Sequence, residues 1–208
     1  MKVLMINGSP NKHGCTFTAL SEISKVLIEK DIEVEILHIG SGQIRGCSAC
    51  GLCKTKGKCV FNDDIVNTII EKAKSADGFV FGAPVHYAAP AGALCAVLDR
   101  SFYAGSVNFH GKPGAAIVSC RRAGSTAAID RLNKYFTISH MPVISAGYWN
   151  MVHGKNPEQV KKDFEGMQIM RTLGSNMAWI LNCINIAKEN GVTRPVPEKK
   201  ILTSFIDE

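Results

Sequence analysis

The sequence predicts an α/β fold in which a parallel β-sheet lies between two layers of helices. Three observations carry this prediction. Short apolar runs alternate with segments of helical periodicity along most of the chain. The early runs are almost wholly apolar, as strands buried on both faces must be. They end in residues that break strands, such as Asn7–Pro10 and Pro84.

Five runs are predicted to be strands, because they are short, apolar and bounded by turn-forming residues. They are Lys2–Ile6, Glu33–Ile39, Gly78–Ala83, Ala115–Ser119 and Pro142–Ala146. Strands that alternate with helices pair in parallel, because each helix returns the chain to the starting edge of the sheet. The sequence therefore predicts a five-stranded parallel sheet in a three-layer sandwich.

Five segments carry apolar residues at helical spacing. They are Thr16–Lys30, Asp63–Ala76, Ala91–Tyr103, Ser125–Phe136 and a last helix that starts at Pro157 and runs, with a break near Gly174, to Ala187. Two starts carry capping signals: Asn62 before the second helix, and Asn156 before Pro157 in the last. The tail, residues 191–208, contains two prolines and is predicted to be irregular.

The composition indicates a soluble globular protein with a single domain, residues 1–208. Hydrophobic residues make up 46% of the chain and charged residues 20%. The apolar runs are too short to span a bilayer, and the first residues lack the layout of a secretory signal. We therefore expect a cytoplasmic protein with no membrane partner. The net charge of +6 forms no basic stripe, so no nucleic-acid partner is expected.

A loop of four cysteines, residues 46–60, follows the second predicted strand. The cysteines have the spacing C-x2-C-x2-C-x5-C and are Cys47, Cys50, Cys53 and Cys59. Compact cysteine runs of this kind supply the ligands of iron–sulfur clusters, so the first interpretation is a [4Fe–4S] cluster. Lys54, Lys56 and Lys58 would offset the negative charge of a thiolate-ligated cluster or attract an acidic partner.

Three other interpretations of this loop stay open. One is a structural zinc site, although such sites usually use two separated cysteine pairs. Another is a thiol–disulfide redox pair within C-x-x-C, and the last is a loop that binds nothing. Cys120 and Cys183 lie in apolar segments and are expected to be buried packing residues.

A polar loop follows the first predicted strand and leads into the first helix. Ser9, Asn11, Thr16 and Thr18 place hydroxyl and amide groups where free backbone amides and the helix dipole attract an anion. The loop has neither the G-x-G-x-x-G nor the G-x-x-x-x-G-K-[ST] pattern. A mononucleotide phosphate such as that of FMN suits it, and a capped turn without a ligand is the alternative.

Several motifs together resemble a known family. They are Asn7–Pro10 with Thr16, Gly82–Tyr87 and Leu98–Arg100. They are similar to those of the flavodoxin-like NAD(P)H-dependent FMN reductases. With the four cysteines and Asp63–Asp64, the chain resembles the iron–sulfur flavoprotein branch of that family, from Met1 to about Gly154. Cys15 and Cys95 depart from the family pattern, in which a small polar residue and a lysine are usual.

The resemblance implies a flavodoxin-like sheet of order 2-1-3-4-5, with FMN at the carboxyl ends of the strands. It assigns the phosphate of FMN to Ser9, Asn11, Thr16 and Thr18. It places the flavin ring against Pro84, Val85, His86 and Tyr87, the last two being candidate proton donors. It closes the other side of the ring with the loop that contains Ser119, Arg121, Arg122, Gly124 and Ser125. It also implies a homodimer or homotetramer with the flavin near a subunit interface.

Three functions follow from these observations. The first is an iron–sulfur flavoprotein that passes electrons between a [4Fe–4S] cluster, FMN and an external partner, either a small-molecule acceptor or a ferredoxin-type protein. The second is an NAD(P)H-dependent FMN or quinone reductase without a cluster. The third is a non-catalytic redox or metal sensor based on the cysteine loop. The first two need no catalytic side chain beyond a proton donor, because the cofactors carry the redox chemistry.

Overall fold

Six strands form one sheet, and five of them run parallel. The computed structural model describes residues 1–199, 201 and 203. Its strands are β1 (Lys2–Asn7), β2 (Glu33–His38), β3 (Gly78–His86), β4 (Ala89–Pro90), β5 (Gly114–Cys120) and β6 (Met151–His153). The sheet order is β2-β1-β3-β5-β6, which confirms the predicted flavodoxin-like order for the parallel strands. The short strand β4 pairs antiparallel with β3 and was not predicted.

Helices cover both faces of this sheet. They are α1 (Cys15–Ile28), α2 (Cys53–Lys56), α3 (Val66–Ser75), α4 (Gly92–Gly105), α5 (Ser125–Ile138), α6 (Pro157–Lys162) and α7 (Phe164–Glu189). A short 3-10 turn, Ser106–Asn108, follows α4. No helix in the described part of the chain combines the length and apolarity that crossing a bilayer requires.

The central strand β1 shows why the chain builds two cores. Its side chains alternate between the two faces of the sheet, as in any strand. Val3 and Met5 pack with α1 and α7 on one face, whereas Leu4 and Ile6 pack with α3, α4 and α5 on the other. All four are fully buried, so both layers of helices are held by one continuous apolar strand.

The predicted strand at Pro142–Ala146 is wrong. That segment makes a single bridge to β5, between Val143 and Gly114. The edge strand is instead β6, whose Met151 pairs with Val118 of β5. Pro142 has no N–H to donate to a ladder, and the buried Asn150, just before β6, donates its side-chain amide to the carbonyls of Ala116 and Ile144.

Two details of the helices also differ from the sequence predictions. Asn62 is not the N-cap of the second helix, since α3 begins only at Val66, whose N–H is accepted by Asp64. The last helix breaks at Asp163, which caps α7 through the N–H of Gly166, and not at Gly174. The predicted start at Asn156 and Pro157 is confirmed, because the Asn156 side chain accepts the N–H of Gln159 at 2.9 Å.

Gly174 lies inside α7 because α1 passes too close for a side chain. A Cβ there would lie 3.0 Å from Cβ of Val26 and 3.2 Å from the carbonyl oxygen of Ile23. The glycine thus sets the distance between the two helices that cover this face.

We expect Gly174→Val to lower the free energy of unfolding by about 1–3 kcal/mol, because overpacking forces α1 and α7 apart. The measurement is denaturant unfolding at equilibrium. Gly92→Val is the matched control: a Cβ at Gly92 meets open space, so its effect should stay within about 0.5 kcal/mol. Equal effects of the two substitutions would contradict the packing argument.

Candidate functional site

The loop after β1 is clamped by the last residue of that strand. Asn7 is fully buried. Its side-chain oxygen accepts the N–H of Ser9 at 3.1 Å, and its amide nitrogen donates to the carbonyl of Lys12 at 3.0 Å. Nε2 of His38, at the end of β2, lies 2.8 Å from the carbonyl oxygen of Ser9. The loop is therefore held at both ends from neighbouring strands.

Gly8 lets this loop pass close to the neighbouring elements. Its N–H donates to the carbonyl of Gly82 in β3 at 2.8 Å. A Cβ at Gly8 would lie 2.7 Å from Cβ of Leu94 and 2.9 Å from the carbonyl oxygen of Gly82. Only glycine fits there, so the position of the loop over the sheet edge depends on the missing side chain.

The four residues predicted to hold a phosphate lie in this loop and in the first turn of α1. The Ser9 hydroxyl accepts the N–H of Asn11 at 3.1 Å. The Thr16 and Ser119 hydroxyls are buried and lie 2.9 Å apart. The Thr18 hydroxyl donates to the carbonyl of Gly14, one turn earlier, at 3.1 Å. Gly14 is the N-cap of α1 and has no side chain to satisfy the first amides, which suits an anion there.

The predicted ring loop is a β-hairpin. His86 of β3 pairs with Ala89 of β4, and the two residues between them, Tyr87 and Ala88, have φ angles of 49° and 59°. Positive φ at both central residues is typical of a type I′ hairpin turn, which ordinarily uses Asn or Gly. Tyr87 is fully exposed, with 106% relative exposure. The hairpin therefore presents an aromatic side chain to solvent at the sheet edge.

The loop after β5 packs against this hairpin. Gly124 has a φ of 86°, and a Cβ there would lie 2.7 Å from Cα of Ala88 and 3.2 Å from Cγ1 of Val85. Ser119 and Ser125 at the two ends of the loop are buried, whereas Arg121 and Arg122 are exposed. The structure thus brings the predicted ring loops together, and it leaves both arginines free to meet a ligand or solvent.

The four cysteines of the 46–60 loop line one cavity of about 440 Å³. Cys47 and Cys50 are exposed, Cys53 is half-buried and Cys59 is buried. Arg100, on α4, closes the inner side of the cavity. Because all four thiols line the same cavity, they are better placed to bind one ligand of several atoms than to act independently.

The thiols surround this cavity without converging on one point. Among the described residues, no three His, Cys, Asp or Glu side chains are arranged to hold a metal ion. A cubane is larger than one ion, so its ligands stand further apart than those of a zinc site. The left-handed backbone at Ala49, Gly51 and Gly57 provides the tight turns that such a loop needs. All eight cysteines are free thiols.

Outside the loop, one of the two cysteine predictions is confirmed. Cys120, at the end of β5, is buried. Cys183 is exposed, so its prediction as a packing residue is wrong. It lies in the last part of α7, where several residues face solvent, although the local sequence is apolar.

Arg100 is the residue whose importance the sequence reasoning missed. It is only 2% exposed. Its Nε and Nη2 each donate to Sγ of Cys59 at 3.3 Å, and its Nη1 forms an ion pair with Asp64. Burial alone would lower the pKa of Arg100, but the hydrogen bonds to Asp64 and Cys59 outweigh it and leave the pKa raised, so the guanidinium stays charged. One feature of the sequence indicated that Arg100 is buried, because it lies on the apolar face of α4, between Val97 and Ala104.

Asp99, next to Arg100, faces a different neighbour. It accepts the hydroxyl of Tyr135 at 2.5 Å, and Arg131 also contacts it. Burial of the Tyr135 hydroxyl and its bond to Asp99 raise the pKa of that tyrosine. The Tyr135 hydroxyl also lies 3.4 Å from the carbonyl oxygen of Cys95. Because Asp99 and Cys95 are both on α4, these contacts of Tyr135 join α4 to α5.

A parallel sheet of this order, a polar loop after β1 that leads into an uncapped helix start, and two further loops packed together at the same edge define a flavodoxin-like flavin-binding protein. Within that class, the chain belongs to the NADPH-dependent FMN reductase family, whose family model matches residues 1–156. It falls in the iron–sulfur flavoprotein branch of that family and is an FMN-dependent oxidoreductase.

Five curated relatives carry the name iron–sulfur flavoprotein, and two of them match 88% of this chain. The one from Methanocaldococcus jannaschii is 31% identical over 192 residues, which cover 88% of this chain and 99% of the relative. The one from Methanosarcina thermophila is 29% identical and covers 88% of this chain and 97% of its own. An archaeal flavodoxin structure, 14% identical, aligns with a TM-score of 0.59 over 88% of this chain and 99% of its own, and it supports the fold.

We expect Asn7→Leu to lower the free energy of unfolding by about 1–3 kcal/mol, because the buried N–H of Ser9 loses its acceptor. The measurement is again equilibrium unfolding in denaturant. Asn11→Leu, an exposed position in the same loop, should change stability by no more than about 0.5 kcal/mol. If both variants lost the same stability, the clamp assigned to Asn7 would be refuted.

Proposed function

We propose that the protein is an iron–sulfur flavoprotein that passes electrons between a [4Fe–4S] cluster, FMN and an external donor or acceptor. The observation that carries the proposal is the single cavity lined by all four cysteines of the 46–60 loop. Membership of the FMN reductase family and the names of its relatives support both halves of the proposal.

For FMN, the residues at the sheet edge fit the group. FMN supplies the chemistry, since it accepts one or two electrons. The amides at the start of α1 and the hydroxyls of Ser9, Thr16 and Thr18 bind the phosphate, with Asn11 beside them. The Pro84–Tyr87 segment and the loop from Ser119 to Ser125 enclose the ring. His86 and Tyr87 remain the candidate proton donors.

For the cluster, the cysteine cavity also fits. The cluster supplies one-electron transfer. Cys47, Cys50, Cys53 and Cys59 provide four thiolates, and the buried guanidinium of Arg100 compensates part of their charge. The three exposed lysines of the loop add positive charge, and Lys54 itself lines the cavity.

The two proposed sites share α4 but lie at different points along it. The helix begins at Gly92, directly after the β3–β4 hairpin. Arg100 and Ala104, which line the cysteine cavity, follow eight and twelve residues later. At 1.5 Å per residue, this places them about 12–18 Å along the helix axis from its start. The chain therefore keeps the two cofactors apart and connects them through one rigid element.

A second function is supported by the family description. The matching family is named for NADPH-dependent FMN reduction, so NAD(P)H is the proposed co-substrate if the cysteine cavity holds no cluster. Arg121 and Arg122, exposed beside the ring loops, suit either the phosphates of NAD(P)H or the ring carbonyls of FMN. The acceptor in this case is a small molecule, such as a quinone, that stacks on the flavin.

A homodimer or homotetramer is part of the proposal. Tyr87, Tyr148 and Trp149 lie on segments at or beside the carboxyl edge of the sheet and are each more than half exposed. Exposed aromatic side chains are enriched at subunit contacts. A second copy that covers them would enclose the flavin from outside. The cytoplasmic location stays a prediction from the sequence.

The direct test is iron and sulfide analysis of protein purified without oxygen, together with its absorbance spectrum. We expect flavin bands and about four irons per chain. Cys50→Ala should remove the iron and retain the FMN, because the two sites use different residues. Cys183→Ala, which changes an exposed cysteine outside the loop, is the control and should retain both.

Three other results of these measurements would contradict the proposed function. Wild-type protein with flavin but no iron would favour the NAD(P)H-dependent reductase without a cluster. Protein with one zinc and no flavin would favour the metal sensor. Loss of FMN together with iron in Cys50→Ala would contradict separate sites.

The basic side of the cysteine loop predicts an acidic protein partner. Changing Lys54, Lys56 and Lys58 to Gln should slow electron transfer from an acidic ferredoxin by about tenfold at low salt, because charge steers encounter. The difference should shrink at high salt. Stopped-flow absorbance gives the rate constants. The control changes three exposed lysines elsewhere, Lys30, Lys134 and Lys188; an equal effect there would mean that only net charge matters.

A further inference from the structure

The Arg100 guanidinium joins the two ends of the cysteine loop to the core of the protein. Its Nη1 lies 3.3 Å from the carbonyl oxygen of Arg45, before the first cysteine. Its Nη2 lies 3.5 Å from the carbonyl oxygen of Phe61, after the last cysteine. Because α4 is packed into the apolar core through Val97 and Leu98, this one side chain fixes the loop relative to the sheet.

Two different groups contact opposite sides of the Arg100 guanidinium. Asp64, whose side chain is 5% exposed, pairs with Nη1. The opposite side, Nε and Nη2, faces Sγ of Cys59, with both distances at 3.3 Å. A buried charge is costly unless it is paired and hydrogen-bonded. Asp64 supplies the paired charge, so Nε and Nη2 remain as two N–H donors directed at the sulfur of Cys59.

Cys59 differs from the other three cysteines in its surroundings. It is buried, and its backbone N–H and carbonyl are both bound by the side chain of Asn67 at 2.9 Å. Cys47 and Cys50 are exposed. Cys59 is therefore fixed by α3 through Asn67 and by α4 through Arg100, before any ligand is bound.

We propose that Arg100 is a positioning residue for the Cys59 thiolate, and that Arg100 and Asp64 together set the reduction potential of the group that the four cysteines hold. This inference rests on the proposed [4Fe–4S] cluster. Reduction adds one electron, and so one negative charge, to the site. Arg100 stabilises that charge through its own charge and two N–H donors, whereas Asp64 opposes it. Net charge and hydrogen bonds to sulfur are known determinants of cluster potentials.

The test is a potentiometric titration with dithionite, followed by electron paramagnetic resonance, on anaerobically purified protein. We expect Arg100→Gln to decrease the equilibrium constant for reduction at least tenfold, a shift of 59 mV to more negative potential for one electron. Asp64→Asn should shift the potential in the opposite direction. The double variant, in which both charges are removed, should lie between the two single variants.

The opposite signs separate this role from simple support of the fold. A purely structural role would lower stability in both single variants without moving the two potentials apart. If Arg100→Gln does not retain iron, the comparison of the double variant with Asp64→Asn gives the same answer, because these two differ only at Arg100. Potentials that are unchanged, or that shift in the same direction, would overturn the inference.

The wild-type protein distinguishes the failure of this inference from the failure of the proposed function. Absence of iron and sulfide in the wild type would refute the cluster itself. Four irons in the wild type with unchanged potentials in the variants would refute only the role of Arg100. FMN content, measured in the same samples, reports whether each variant keeps the flavin site intact.

Discussion

The burial of β1 on both faces is the constraint on which the rest of the structure depends. The strand pairs in parallel with β2 on one side and β3 on the other, and every residue from Val3 to Asn7 is buried. Parallel strands carry their following loops to the same edge of the sheet. The loops after β1, β3 and β5 therefore meet at one edge, and the two packed cores leave that edge as the place where loops are free to bind ligands.

The same constraint explains the unusual residues at that edge. Asn7 is a polar residue inside a buried strand, and it is tolerated because both of its polar atoms bind the backbone of the next loop. Gly8 and Gly124 are required by close contacts with the β3 strand and its hairpin. The edge thus contains glycines and paired polar side chains in place of apolar packing.

Periodicity and strand-ending residues are local signals, so the sequence was sufficient for the parallel α/β class, whereas the order of the strands was implied by the resemblance to the flavodoxin-like reductases. The sequence predictions were wrong where an element depends on a contact with residues that are distant in the chain. Pro142–Ala146 has an apolar pattern but pairs at only one position, whereas Met151–His153 is short and gains its pairing from β5. Gly174 suggested a break, although its role is to admit α1. No local pattern shows which helix approaches a glycine.

The candidate site was predictable to a similar extent. The cysteine spacing and the polar loop after β1 are contiguous in sequence, so their residues could be named in advance. The partner of Cys59 could not, because Arg100 lies 41 positions away in the chain. Its sequence signals are its place in the Leu98–Arg100 motif and its charge on the apolar face of α4, and neither identifies its partner.

The Arg100 pair also bears on how the cofactor sites are related. A buried ion pair is a weak source of stability, because desolvation offsets most of the attraction. Asp64 and Arg100 are nevertheless both almost inaccessible to solvent, and they connect the start of α3 with the middle of α4. Since α4 begins beside the ring loops and carries Arg100 at the cysteine cavity, a change of charge at one site acts on an element that the other site also contacts. If both proposed sites are occupied, the fold supplies rigid geometry between them, and the buried pair supplies the electrostatic setting of the cysteine site.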